Sequence, residues 1–143
     1  MESKWVGLVL NLILLGIVLS MGLLLYWSFR PYNIIEYKVE KFEMQKYEYK
    51  VGEPLTYRIA FCKKGNYVGE IIRKLHDGVY YTFSPITSTI QEGCVDFIST
   101  SNITPNVPSG EYVFENEVIY RPNPIREIRY YMESEPFYIM NDN

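Results

Sequence analysis

The stretch "LTYRIAFCKK" (residues 55–64) decides the fold, because it alternates like a β-strand and carries a cysteine at an unexpected position. Every second side chain from Leu55 to Phe61 is large and apolar, so these side chains share one face of the strand. Cys62 falls on the opposite face, together with Arg58. A free cysteine is usually buried like a small hydrophobic residue. The place of Cys62 beside a charged residue therefore needs an explanation.

The chain's other cysteine, Cys94, also falls on the outward-facing side of its predicted strand. In "GCVDFIS" (residues 93–99) the alternation points Val95 and Phe97 inward and Cys94 outward. In immunoglobulin-type sandwiches the second and fifth strands are neighbours, and cross-strand Cβ atoms lie close to disulfide range. We therefore predict a Cys62–Cys94 disulfide across the outside of one sheet. The alternative, two reduced thiols, leaves the shared phase unexplained.

The rest of the body also reads as short strands separated by turns. Tyrosine is abundant there, and alanine, the best helix former, occurs once in the whole chain. The strands are predicted at 34–50 (one long or two short), 55–63, 68–75, 79–84, 93–100, 111–121, 126–132 and 137–139. About seven strands match the size of an immunoglobulin-like domain. The predicted fold is an all-β, immunoglobulin-like antiparallel β-sandwich (residues 31–143) that follows one transmembrane α-helix (residues 1–30).

The turn "PSGEY" (residues 108–112) adds a local signature of this fold. It places Tyr112 at the start of the sixth predicted strand. Immunoglobulin-like sandwiches often have a tyrosine corner there, in which the hydroxyl bonds to backbone a few residues upstream. The alternative is an ordinary core tyrosine. The chain lacks the core tryptophan of antibody domains, since Trp5 and Trp27 both lie near the N-terminal apolar segment.

The segment "VGLVLNLILLGIVLSMGLLLYW" (residues 6–27) carries no charge. A helix of about 20 apolar residues is long enough to cross a hydrocarbon core of about 30 Å. A cleaved signal peptide would need a small-residue cleavage site, which the segment lacks, and a lipoprotein would need a cysteine there. A soluble core helix is rarely apolar on every face. We predict an uncleaved single-pass anchor.

Two features of the anchor bear on its partners and its orientation. Gly16 and Ser20 stand four residues apart and Asn11 is polar, a pattern that can pack transmembrane helices into a homo-oligomer, although it also arises by chance. Flanking charge favours a body on the inner side, but large domains are translocated largely regardless of charge. Because disulfides persist in oxidising compartments, we expect the body on the outer side of the membrane.

The sandwich topology gathers polar residues at the end next to the anchor. The loops after the second and sixth strands share this end. They carry Lys63, Lys64, Tyr67, Arg121, Asn123 and Arg126. We call these six residues the rim and predict that it contacts anionic lipid headgroups or an acidic protein partner. The alternative is a set of scattered, solvated charges.

No catalytic, cofactor or metal-binding arrangement is visible in the sequence. The only histidine, His76, precedes the Asp77-Gly78 hairpin turn and is interpreted as a solvated turn residue. Glu111, Glu115 and Glu117 alternate along one strand and are interpreted as its hydrated face. With a formal charge of −3, the chain lacks the basic excess of nucleic-acid binders. We therefore expect a protein that is not an enzyme and binds neither cofactor nor nucleic acid.

Several short motifs resemble a recurrent group of small, uncharacterised, membrane-anchored immunoglobulin-like proteins that are encoded by tailed bacteriophages and seen in metagenomes. The motifs are "FCKKGNY" (61–67), "DGVYYT" (77–82), "EGC" (92–94), "PSGEYVFENEVIYRPNPIREI" (108–128) and "SEPF" (134–137). The resemblance implies a phage gene and a membrane-anchored sandwich, and it implies no activity and no functional residues.

Two hypotheses for function follow. The first is a non-enzymatic binding module displayed on the outer side of a bacterial inner membrane during phage infection, where it modifies the host envelope. The second is a minor structural or assembly component of a virion. Particle-associated protein would favour the second hypothesis, and protein in the host membrane the first.

Overall fold

In the computed structural model, which describes residues 2–103 and 107–141, one N-terminal helix precedes a β-rich body. The helix α1 runs from Glu2 to Phe29, within the predicted anchor of residues 1–30 and beyond both ends of the uncharged segment 6–27. The strands in the described ranges are β1 (Ile35–Tyr37), β2 (Glu43–Met44), β3 (Glu48–Lys50), β4 (Pro54–Lys63), β5 (Gly69–His76), β6 (Tyr80–Thr82), β7 (Ile86–Ser88), β8 (Gly93–Asn102), β9 (Gly110–Asn123), β10 (Arg126–Glu133) and β11 (Phe137–Met140).

The strands form two sheets that pack as a β-sandwich, which confirms the predicted fold class. In the smaller sheet β4 is central, with β8 along one side and the short β1 and β2 along the other. In the larger sheet the order is β3-β11-β9-β5-β6, while β10 also pairs with β9 and β7 with β5. The pairing of β4 with β8 is the second-to-fifth neighbour relation on which the disulfide prediction depends.

The core lies between the sheets, where the alternation of β4 predicts it. Leu55, Tyr57, Ile59 and Phe61 are all buried. Aromatic rings join the layers at the centre, since the ring of Phe114 in β9 lies 4.9 Å from that of Tyr57. Edge-to-face and tilted ring pairs at such distances add stability beyond the area they bury.

The disulfide is present and lies on the outer face of the smaller sheet. Cys62 and Cys94 are direct cross-strand partners with Cα atoms 3.9 Å apart. Arg58, on the same face of β4, binds Asp96 of β8 through Nε and Nη2 (2.8 and 2.6 Å). Cys62 is buried although it faces outward, whereas Cys94 is exposed. The alternation of β4 and β8 therefore predicts the correct face and the correct pair of cysteines.

The hydroxyl of Tyr112 donates a hydrogen bond to the carbonyl of Pro108 (2.9 Å), which is the contact that defines a tyrosine corner. The side chain is almost fully buried at the start of β9. The bond therefore fixes the turn that leads into the longest strand of the larger sheet.

Three predictions about elements need correction. The segment 34–50 forms three short strands: β1 pairs antiparallel with β4, and β3 pairs parallel with β11 in the other sheet. The segment thus crosses between sheets and covers one side of the sandwich. Strand β7 lies in a stretch where no strand is predicted. The hairpin between β5 and β6 is confirmed, but its loop has three residues and only Gly78 has a positive φ (108°), so it is not a type I′ turn.

Candidate functional site

The structure brings part of the predicted rim against the end of α1. The amide nitrogen of Asn123 donates to the carbonyl of Trp27 and the hydroxyl of Tyr32 (both 3.3 Å). Nη1 of Arg126 donates to the carbonyls of Ser28 (3.2 Å) and Arg30 (2.5 Å). The last carbonyls of a helix lack intrahelical partners and carry the negative end of its dipole. The turn between β9 and β10 thus caps the helix.

Aromatic rings complete this contact. The guanidinium carbon of Arg30 lies 5.5 Å from the ring centre of Tyr32, and that of Arg126 lies 5.6 Å from the same centre. The ring of Tyr67 meets Tyr32 edge-on at 6.3 Å. Cation–π contacts of this kind are attractive at such distances. We call the set Trp27, Arg30, Tyr32, Tyr67, Asn123 and Arg126 the helix collar.

Two other rim residues are neutralised within the body. Nζ of Lys64 lies 3.4 Å from a carboxylate oxygen of Glu36. The guanidinium of Arg121 pairs with Glu70 (3.3 Å) and Glu127 (3.0 Å). All of these side chains are substantially exposed, so each pair contributes little to stability. They nevertheless reduce the positive charge that the rim offers to a lipid surface.

Lys63 does not belong to the exposed rim, which corrects the sequence-based assignment. Its side chain is buried, its ammonium donates to the carbonyl of Ile90, and it lies 5.7 Å from the ring centre of Tyr120. Burial lowers the pKa of this ammonium. Alternation places Lys63 on the inward face at the end of β4, and its long side chain reaches a carbonyl there.

The outer face of the larger sheet is less hydrated than predicted. Glu115 and Glu117 do point away from the core, but both are buried among neighbouring charged side chains. Glu117 accepts hydrogen bonds from Lys74 (2.8 Å), Arg129 (2.5 Å) and Tyr131 (3.1 Å). The ammonium of Lys74 holds the pKa of Glu117 below its usual value. Long side chains on β5 and β10 therefore cover the carboxylates of β9.

The same face brings His76, Glu115 and Glu133 together, with ligand-type atoms within 4.8 Å of one another. His76 is half-buried and stacks on Tyr80, with ring centres 5.0 Å apart, so it is not the solvated turn residue predicted from sequence. Nζ of Lys74 already lies 3.2 Å from Glu115 and competes with any cation for that carboxylate. The cluster has three ligand-type atoms for a metal ion, and a bound ion would have to displace Lys74 from Glu115.

An apolar cavity of about 110 Å³ lies between the two sheets. Three of the residues that line it carry a buried polar atom without a hydrogen-bond partner among the described residues: Tyr37 Oη, Arg73 Nε and Asn116 Oδ1. Sequence reasoning missed these residues. A signal existed for Asn116, because it occupies the inward phase of β9 between Phe114 and Val118.

The predicted self-association of α1 through Asn11, Gly16 and Ser20 stays a prediction. The hydroxyl of Ser20 donates to the carbonyl of Gly16 (2.8 Å) and is therefore satisfied within its own helix. Asn11 is exposed, as are the apolar side chains around it. The segment Trp5–Phe29 is long and apolar enough to cross a membrane, and none of its most hydrophobic window is buried against the body.

No family model and no curated protein matches this chain. The resemblance to phage-encoded proteins therefore remains a prediction from short motifs.

Proposed function

We propose that this chain is a single-pass membrane protein and that its β-sandwich is a non-enzymatic binding module on the outer side of the membrane. The observation that carries the proposal is the helix collar, because the body holds the end of an apolar helix through Asn123 and Arg126. A body held in this way lies against the membrane surface and is not freely tethered. The disulfide supports the outer side, since such bonds persist in oxidising compartments.

The proposed compartment is tested on protein in its own membrane. A thiol-reactive mass tag, applied under denaturing and non-reducing conditions, should label neither Cys62 nor Cys94, and should label both after reduction. Protease is added to cells whose outer membrane has been opened and whose inner membrane is intact. It should remove the body and leave the helix. Labelling without reduction, together with protection from protease, would show that the body lies inside.

The partner that the collar fits best is an anionic lipid surface. Arg30 donates to the hydroxyl of Tyr26 and Arg126 to backbone carbonyls, both lie against the ring of Tyr32, and among the described residues neither has a carboxylate partner. Between β9 and β10 the exposed side chain of Ile125 projects beside Arg126. Basic residues near an anionic membrane contribute about 1 kcal/mol each, and apolar side chains enter the interface. The collar would then set the tilt of the body.

This lipid contact can be measured on the full chain in bilayer discs. Amide hydrogen exchange in the β9–β10 turn should be slower in anionic discs than in zwitterionic discs. The Arg30→Gln/Arg126→Gln variant should lose most of this difference. The matched control is Lys64→Gln/Arg121→Gln, which removes two charges that are already paired within the body. Equal losses in both variants, or no effect of lipid charge, would exclude the lipid contact.

The resemblance to phage-encoded proteins extends the proposal to a phage gene product that acts at the envelope of an infected bacterium. Fractionation of infected cells tests this step. Most of the protein is expected in the host inner membrane, with little in purified particles.

A second candidate function, a structural component of a virion, is favoured by one observation. Strand β8 has ten residues and pairs with β4 alone, so one of its edges is free within the described part of the chain. Free edges are templates for pairing with another chain. If the protein co-purifies with particles in a fixed number of copies, this second candidate replaces the first.

A further inference from the structure

We propose that the cavity between the sheets is a binding site for a small carboxylate that has an apolar body and a hydroxyl group next to the carboxylate. The proposal rests on the proposed binding function, to which it adds a ligand class. The cavity belongs to the body, so its test is independent of the anchor and of the compartment.

The size and lining of the cavity set the apolar part of the ligand. A cavity of about 150 Å³ holds a benzene molecule, so about 110 Å³ has room for roughly four carbon atoms. Aliphatic side chains from both layers form the walls, among them Ile59, Ile71 and Val118. Such walls are typical of small-molecule sites, in which a few polar groups orient a mostly apolar ligand.

The cavity has an entrance along one side of the sandwich. Strand β8 is an edge strand of the smaller sheet, and β7 is an edge strand of the larger sheet. In the described part of the chain these two edge strands do not pair with each other. Phe97 of β8 and Ile86 of β7 both line the cavity and are 39% and 44% exposed, respectively. A ligand can therefore enter between them without separating paired strands.

Arg73 supplies the charge that selects a carboxylate. Its Nη1 donates to the hydroxyl of Ser101 (3.2 Å), and its guanidinium carbon lies 5.8 Å from the ring centre of Phe83. Both partners are neutral, no carboxylate of the described residues pairs with this guanidinium, and its buried Nε has no partner. A guanidinium presents two parallel N–H groups that fit the two oxygens of a carboxylate.

Asn116 supplies the second polar contact. It lines the cavity and is 5% exposed, and its buried Oδ1 has no hydrogen-bond donor among the described residues. Asn116 is the direct cross-strand partner of Arg73, so the two groups are neighbours on one wall. An amide oxygen accepts a hydrogen bond, and a hydroxyl next to the carboxylate can donate it. Native proteins leave few buried polar groups unpaired, so several in one cavity indicate an external partner.

The test uses the full chain in detergent, with ¹³C-labelled isoleucine and valine methyl groups, and three probes of similar shape. The probes are 2-hydroxyisovalerate, isovalerate and 3-methylbutanol. Methyl signals of Ile71 and Val118 should shift saturably with 2-hydroxyisovalerate. Affinity should fall in the order given, with the alcohol at least about tenfold weaker, since hydrogen bonds to charged groups are the strong ones.

Variants then test the named residues. Arg73→Gln should remove the preference for the acids over the alcohol, while Ser99→Leu should fill the entrance side of the cavity and weaken all three probes without changing charge. Arg58→Gln, an arginine on the outer face, is the control and should bind like the unmodified chain. Equal affinity for acid and alcohol, unchanged binding in Arg73→Gln, or no saturable shift with any probe would overturn the proposal and leave a hydrated cavity only.

Discussion

The Cys62–Cys94 bridge joins the central strand of the smaller sheet to its free edge strand, which has no other neighbour in the described chain. It closes a loop with a sequence separation of 32 residues. On the chain-entropy account, such a crosslink stabilises a domain by about 3–4 kcal/mol. We expect the Cys62→Ala/Cys94→Ala variant to lose about this much free energy of unfolding, measured by denaturant titration of the full chain in detergent.

Reduction provides the control for this experiment. A reductant should lower the stability of the unmodified protein toward that of the double variant and leave the double variant unchanged. If the reductant has the same effect on both proteins, the loss comes from something other than the disulfide.

Tyr112 supports a second prediction at this scale. Its hydroxyl bonds to the carbonyl of Pro108, and the hydrogen bond of a buried group contributes about 1 kcal/mol net. Tyr112→Phe should therefore lower the free energy of unfolding by about 1–2 kcal/mol, with no change in secondary structure by circular dichroism. The control is Tyr47→Phe on an exposed tyrosine, which should leave stability within about 0.5 kcal/mol. Equal losses of stability at both positions would show that the Tyr112–Pro108 hydrogen bond has no particular effect on the stability of the fold.

Residues whose position follows from strand alternation or from a turn motif could be predicted from the sequence. Contacts between segments that are distant in sequence could not. The phase of β4 and β8 identifies both cysteines, and the turn before β9 identifies Tyr112. Alternation places Lys63 on the inward face of β4, but the partner of its ammonium, the Ile90 carbonyl, lies in a segment that is distant in sequence and could not be predicted. Arg30 enters the collar in the same way, through aromatic partners that the pattern does not indicate.

At the scale of elements, three adjacent strands share one ionic network. Glu117 of β9 is held between Lys74 of β5 and Arg129 of β10. These contacts hold the pKa of Glu117 below its ordinary value of 4.5, and Lys74 is the largest cause. A carboxyl group with a lowered pKa in the folded state contributes stability above its unfolded pKa and loses that contribution as the pH falls through the folded pKa.

The free energy of unfolding should therefore decrease as the pH falls below about 4.5, where carboxylates gain protons. Glu117→Gln should be less stable by about 1–3 kcal/mol at pH 7 and should show a shallower decrease in acid. Denaturant titrations at several pH values measure both effects. Glu111→Gln, an exposed residue on the same strand, is the control and should keep the full acid dependence. The prediction is wrong if Glu117→Gln and the unmodified chain run in parallel.

Sequence analysis missed strand β7 and the division of the segment 34–50 into three short strands. Strand β7 has three residues, two of them exposed, and it exists because its backbone pairs with the first residues of β5. Strands β2 and β3 have two and three residues and lie in a segment predicted as one long strand or two short ones, and β3 pairs parallel with β11, a partner about 90 residues away in sequence. Strands of two or three residues carry too few side chains to show a period, and β6 could be predicted only because the Asp77-Gly78 turn precedes it.

At the scale of the whole molecule, the helix and the sandwich are joined at one end of the body. The last turn of α1 contains no basic residue of its own, and the cation at its C-terminus comes from Arg126 of the body. A cation at a helix C-terminus contributes about 0.3–1 kcal/mol when exposed and up to about 2 kcal/mol when partly buried. The contact therefore stabilises the helix end and fixes its direction relative to the sheets.

This contact predicts that hydrogen exchange at the C-terminal end of α1 depends on Arg126. The amide of Arg30 bonds to the carbonyl of Tyr26 in the final turn. Arg126→Gln should fray that turn, so that the amides of residues 28–30 exchange their hydrogens about fivefold to tenfold faster in bilayer discs, as expected for a loss of about 1 kcal/mol. Arg121→Gln, whose partners are Glu70 and Glu127, should leave this exchange unchanged. If both variants behave like the unmodified chain, the helix end is held by the bilayer alone, and the orientation of the body is not set by the collar.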